Sequence, residues 1–229
     1  MIDIAGVKRL CLVGATGLVG RTVIERVVHQ ADVRLVAVAR REIPLPEGAR
    51  MEFLVADPSG WPDAIVAANA RVLICALGTT MRKAGGDKDA FRAVDHDLVL
   101  LAAQAARDAG IDHAIVVSSA GADSSSGNFY LRTKGETETA LGKLGFRRLD
   151  ILRPGLLVGA RQPRRPLEQL GMWFSPLTNL LLRGKYRAFH SIKALTVSDA
   201  ILALAKEKAD GRFTHDRDAM IRAIRRARE

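Results

Sequence analysis

Lys8 to Gly20 reads KRLCLVGATGLVG, and the reading of this stretch decides the fold. Leu10, Cys11, Leu12 and Val13 form a short apolar run after two charges, the pattern of a strand covered on both faces. Gly14, Gly17 and Gly20 follow at three-residue spacing. From Leu18 onward Val19, Val23, Ile24, Val27 and Val28 recur at helical period. Strand, glycine turn and helix, in that order, are what a dinucleotide site needs. Gly14 permits the tight turn, and side chains at Gly14 or Gly17 would sit where backbone meets a pyrophosphate. Gly20 lets the helix pack closely on its strand, and the helix start offers free N–H groups to the anion. A glycine triplet alone is weak; with its strand before it and its helix after it, the signal becomes specific.

Outward from this start, strands and helices alternate. Val33–Ala39 (VRLVAVA) reads as a second buried strand, followed by Arg40, Arg41 and Glu42. Residues 51–56 form a third, closed by Asp57-Pro58, and a short helix near 62–69 leads into a fourth at 71–77. Gly78 to Lys88 is a glycine-rich basic loop, and a long helix over 89–109 stops at Gly110. His113–Val117 is the fifth strand, ending at Ser118-Ser119. A Ser/Gly-rich loop and a helix over 129–144 precede the sixth, at 149–152, which runs into Arg153-Pro154-Gly155. Such alternation predicts an α/β fold, a Rossmann-like doubly wound parallel sheet with right-handed crossovers. Beyond Arg161 the rhythm changes. A proline-and-arginine linker, a helix over 167–182 carrying Trp173 and Phe174, a short strand at 186–189, a helix over 197–208 and a basic amphipathic helix follow. No boundary isolates residues 156–229. The chain is therefore read as one domain, 1–229, with a small helical C-terminal annex beside the ligand cleft.

Composition narrows the function. No apolar run approaches the roughly 18 residues of a membrane span, so no membrane partner is expected. Lys8-Arg9 before an apolar run mimics a signal peptide, but Gly14, Thr16 and Gly17 break the run, which is better explained as a strand. Cys11 and Cys75 fall in predicted buried strands without framework spacing, which fits a reducing cytosol and a cytoplasmic location. The net charge of +10 points toward polyanions. No zinc-finger, helix-turn-helix or base-stacking pattern accompanies it and aromatics are only 5%, so a nucleic acid is not the expected partner. The expected ligand is a small-molecule substrate, with a homodimer or a protein partner left open. His96 and His113 lack metal-ligand spacing to other ligand residues, and no metal is expected.

Tyr130 and Lys134 stand at i and i+4, on one face of one helix. A free phenol titrates near ~10, too high for acid–base work at neutral pH, and a nearby ammonium favours the phenolate. Ser118-Ser119 closes the fifth strand at the sheet edge where ligands of doubly wound folds lie. A hydroxyl there can hold a substrate carbonyl while Tyr130 transfers a proton and a nicotinamide transfers hydride.

Together these residues resemble the short-chain dehydrogenase/reductase superfamily, and the glycine spacing is similar to its extended and atypical branches. Through the middle of the chain ALGTTMRKAG, VDHDLVLLAAQAARDAG, VVSSAGADSSSGNFYLRTKGETE and LRPGLLVGARQPRRP resemble the Tat-interacting-protein oxidoreductases. The resemblance spans roughly residues 8–210. It implies a Rossmann fold, NADP(H), Tyr130 as general acid/base, Lys134 on the nicotinamide ribose and a serine that orients substrate. Ser119 is the expected serine, with Ser118 as its substitute. Two departures stand out: Asp95 occupies the place of an active-site asparagine, and Ala120 the place of a further hydroxyl.

The expected catalytic set is thus Ser119, Tyr130 and Lys134. The cofactor-binding set is Gly14, Thr16, Gly17, Leu18 and Val19 of the first turn, Arg40, Arg41, Asp57, Leu77, Gly78, Thr79, Lys134, Pro154 and Gly155. Asp57 reads equally as a cap of the following turn. Arg40 and Arg41 after the second strand can pair with a 2′-phosphate, whereas an NAD site places a carboxylate near this point; this favours NADP(H) over NAD(H). Glu42 is the competing ribose ligand. The predicted activity is reduction of a small carbonyl compound. A cofactor-sensing regulatory protein without turnover is the alternative, and a sugar-nucleotide epimerase or dehydratase the third reading.

Overall fold

Strands whose residues are apolar on both faces must be covered on both sides, and the chain does so with two helical layers. In the computed structural model, residues 7–49, 51–159 and 190–229 are described. The expected linker, the helix over 167–182 with Trp173 and Phe174, and the strand at 186–189 lie outside them.

β1 (Lys8–Val13), β2 (Val33–Ala39), β3 (Met51–Val55), β4 (Val72–Cys75), β5 (His113–Val117) and β6 (Arg148–Leu152) appear where the apolar runs place them. Together with β9 (Gly211–His215) they form one parallel sheet in the order β3-β2-β1-β4-β5-β6-β9. Its seventh member, β9, pairs with β6 and was not expected. The C-terminal part therefore supplies the sheet edge as well as helices. A small parallel pair, β7 (Leu157–Val158) with β8 (Ile192–Lys193), stands apart from the main sheet.

Alternate residues of each strand feed opposite cores. Leu10 and Leu12 face α1 (Leu18–Val27), α6 (Ala194–Leu204) and α7 (Arg217–Arg226). Cys11 and Val13 face α2 (Trp61–Ala67) and α4 (Leu98–Asp108). Both thiols are buried and free, and burial pushes Cys11 up to about 12 and Cys75 up to about 11. The expected helix over 89–109 is segmented: α3 (Lys88–Arg92), a π-helical turn (Ala93–Asp97), then α4. π-Turns inside helices recur at functional sites. α5 (Phe129–Leu141) is capped by Asn128, whose side chain accepts the Leu131 N–H at 3.2 Å.

Candidate active site

The strand order reverses between β1 and β4, and both ends of that crevice are built by glycine. Gly14 has φ +94°, and a Cβ there would lie 2.5 Å from the Ala76 carbonyl carbon and 2.7 Å from the Leu77 nitrogen. The positive φ suits the expected tight turn, and the bareness of Gly14 also lets β1 and β4 end side by side. A Cβ on Gly20 would stand 2.2 Å from the Gly14 oxygen, so Gly20 seats α1 against the turn as expected. Gly17 is less confined, a Cβ there standing 3.3 Å from the Gly14 oxygen, a tight contact but not a clash, and it caps α1 without a side-chain bond. The first turn of α1 holds no acidic residue, so its free N–H groups suit an anion. Thr16 is exposed on the turn, with Leu18 and Val19 opening the helix.

Arg40 and Arg41 follow β2 at the same sheet edge. Both are exposed, and neither has an ion pair among the described residues. Asp57 is exposed at the start of a short 3₁₀ turn (Pro58–Gly60), and its carboxylate caps nothing. The glycine turn and the uncapped helix start fit the pyrophosphate of a dinucleotide, and the two guanidiniums stand at the same sheet edge.

Across the crevice, Leu77, Gly78 and Thr79 follow β4, and Gly78 comes close to Lys134 of α5. Lys134 is 6% exposed, and its Nζ lies 2.8 Å from Oδ1 of Asp95, which is 1% exposed. The contact is a charge pair rather than an aligned hydrogen bond, since Oδ1 receives no hydrogen bond. Oδ2 of Asp95 accepts the Thr79 N–H at 2.7 Å, and the Asp95 carbonyl accepts from Thr137 Oγ1 at 3.0 Å. A Cβ on Gly78 would stand 3.4 Å from Oδ1 and 3.8 Å from Nζ. Three elements thus converge on one buried ion pair that has no sequence signature, its partners being 39 residues apart on separate helical segments.

The two serines part company. Ser118 is buried and donates to Glu138 Oε1, whose carboxylate also accepts from Arg153 Nε at 3.0 Å. Ser119 is half-buried, and among the described residues its hydroxyl bonds to the carbonyl of its neighbour Ala120 alone, at 3.3 Å, while its own carbonyl accepts the Ala122 N–H at 3.2 Å. Tyr130 is half-buried with its ring 5.5 Å from that of Phe91, and its hydroxyl has no hydrogen-bond partner among the described residues. Pro154 is buried and Gly155 half-buried; the Pro154 carbonyl accepts the Ala120 N–H at 2.9 Å, tying the two strand ends together.

The histidines stand elsewhere. His113 Nε2 and His215 Nε2 contact the buried Asp150 carboxylate at 2.8 and 2.7 Å, and Arg148 Nε donates to it at 2.6 Å. Burial works against ionisation of Asp150, but the bonds from His113, His215 and Arg148 outweigh it and hold its carboxyl well below the usual range. His96 contacts Asp97.

Residues 14–164 match the NAD(P)H-binding family model. HTATIP2 of Rattus norvegicus is 33% identical over 85% of this chain and 80% of its own length. The mitochondrial protein fmp52 of Emericella nidulans is 35% identical over 72% of this chain and 74% of its own. Among solved structures, a candidate NAD-dependent epimerase/dehydratase of Bacillus halodurans superposes with TM-score 0.69 at 21% identity, covering 96% of this chain and 99% of that one. Bordetella bronchiseptica WbmH, solved with NAD+, gives 0.69 at 13% identity, covering 92% and 76%. These two show the fold. The expectation of a cytoplasmic protein does not stand, because the fmp52 relatives are mitochondrial by name.

Proposed function

From the premise that the chain belongs to the NAD(P)H-binding Rossmann family that includes HTATIP2 and the fmp52 proteins, we propose that it is an NADP(H)-dependent oxidoreductase that reduces a small carbonyl compound. The observation that supports the reading is that Gly78, Thr79 and Lys134 meet at the Asp95 carboxylate, with Tyr130 one helical turn before Lys134 and its hydroxyl without a hydrogen-bond partner among the described residues. The turn and the α1 start hold the pyrophosphate, Arg40 and Arg41 pair with the 2′-phosphate, and Lys134 faces the ribose. The bound cofactor supplies hydride. Ser119, the less committed serine, holds the carbonyl oxygen, while Ser118 is spent on Glu138. Tyr130 Oη donates its proton to that oxygen. One observation favours a second reading, a cofactor-sensing protein without turnover: the Lys134 charge is already engaged by Asp95.

Titration of NADPH and NADH into wild type and an Arg40→Ala/Arg41→Ala variant tests the cofactor assignment. Hydrogen bonds to charged groups contribute about 1.5–3 kcal/mol each, so NADPH affinity should fall about tenfold or more in the variant. Affinity for NADH should change little. Tighter binding of NADH by wild type would transfer the ribose role to Glu42 and refute the assignment.

A further inference from the structure

Beside the strand-end serines the surface opens into a cleft of about 280 Å³, at the small end for ligand cavities. Its walls include Ala120, Gly121, Arg153, Thr214, Asp216 and Arg222. Ala120 directly follows Ser119 and is bonded to Pro154, so the cleft begins one residue from the hydroxyl assigned to the carbonyl. The opposite wall comes from the end of β9 and from α7.

The charges in this cleft are unequal in what they have left to give. Arg153 spends Nε and Nη2 on the buried Glu138, at 3.0 and 2.5 Å, which fixes its plane and leaves Nη1 without a partner among the described residues. Arg222 is exposed and has no ion pair among the described residues. Asp216, the acidic residue of the wall, caps α7 by accepting the Ala219 N–H at 2.8 Å. Thr214 adds a residue with a hydroxyl. A cation entering here would meet two guanidiniums, and a neutral group would leave Arg222 unused. A planar or tetrahedral set of anionic oxygens matches donors fixed on one wall and free on the other.

We propose that this cleft is a substrate subsite that receives an anionic group, a carboxylate or a phosphate, with Arg222 and Arg153 as its donors. The proposal deepens the oxidoreductase reading and rests on it for the placement of the reacting carbonyl near Ser119. It makes the substrate class a small keto- or aldehyde acid or a carbonyl phosphate.

The test separates binding from turnover. Thermal stability is followed against inorganic phosphate and against acetate, with and without saturating NADPH, so that cofactor phosphate sites are filled in one arm. Wild type should show a saturable rise with at least one anion in both arms. Arg222→Ala should weaken that anion about tenfold or more, Arg222→Lys less, with NADPH affinity unchanged in both. Turnover of levulinate against its neutral methyl ester, and of dihydroxyacetone phosphate against dihydroxyacetone, then tells carboxylate from phosphate. The charged member of one pair should have the lower KM, and Arg222→Ala should erase the difference. An Arg222-dependent anion effect without any turnover supports the subsite and counts against the oxidoreductase reading. No saturable anion effect, one undiminished in Arg222→Ala, or turnover indifferent to substrate charge overturns the subsite.

Discussion

Replacing Asp95 with Asn removes one charge from the most deeply buried ion pair at the cofactor edge. The two side chains have nearly the same shape, so packing against Gly78 and the Thr137 bond to the Asp95 backbone carbonyl persist. What changes is that Lys134, 7% exposed at its side chain, loses the carboxylate 2.8 Å away and is left as a buried, uncompensated ammonium. Breaking a buried pair from one side costs about 3–5 kcal/mol, a large share of the ~5–15 kcal/mol that holds most domains folded. For a chain of this size each kcal/mol moves the melting temperature by about 2–4 °C, so Asp95→Asn should melt roughly 10 °C below wild type. Adding Lys134→Met, which removes the orphaned charge at similar volume, should recover most of that loss. Paired thermal melts of the single and double variants make the measurement. An Asp95→Asn protein melting within a degree or two of wild type would refute the reasoning, as would a double variant no more stable than the single one.

Other outcomes follow from the same structure. Gly14→Val forces a branched side chain into the Ala76–Leu77 backbone at a positive φ, so soluble folded protein should be lost, whereas Gly17→Ala should fold and bind dinucleotide more weakly; circular dichroism beside fluorescence titration distinguishes them. The depressed Asp150 carboxyl contributes stability that is complete above its unfolded value near ~3.9 and is lost as pH falls through its lower folded value. Melting temperature should therefore drop below about pH 4 in wild type, and less steeply in Asp150→Asn, which starts less stable because Arg148 loses its buried partner. Cys11 and Cys75, buried with raised values, should resist thiol reagents under native conditions and react on unfolding, as a colorimetric thiol count would show.

The six strands that were legible each carry a mostly apolar run, broken at single positions by residues such as Arg34, Glu52 and Asp150, between punctuating Gly, Pro and charge. β9 escaped because GRFTH is a mostly exposed edge strand, in which His215 alone of the five residues is buried. Its polar character is informative in retrospect. His113, Arg148, Asp150 and His215 are polar types inside strands, and they are polar because they satisfy one another around one carboxylate. Glycine spacing in KRLCLVGATGLVG announced the turn but not which glycine meets which backbone, since Ala76 approaches Gly14 only through sheet pairing. Tyr130 and Lys134 were visible by helical spacing. Asp95 was visible only as a departure from a resemblance, because no local pattern encodes a partner across the crevice. Ser119 was preferred over Ser118 from the sequence, but the bond from Ser118 to Glu138 had no local signature.

Proton transfer from Tyr130 to a carbonyl oxygen is probed by NADPH oxidation over a carbonyl panel in wild type and Tyr130→Phe, with NADPH affinity measured on the same samples. The phenol ring packs on Phe91, so the substitution keeps the fold while removing one hydroxyl. General acid–base groups contribute about 10²–10⁴-fold to rate. Turnover in Tyr130→Phe should fall by at least a hundredfold with NADPH affinity within about twofold of wild type. Equal turnover in the two proteins would contradict the mechanism, and NADPH binding with no turnover by either would decide for the sensor.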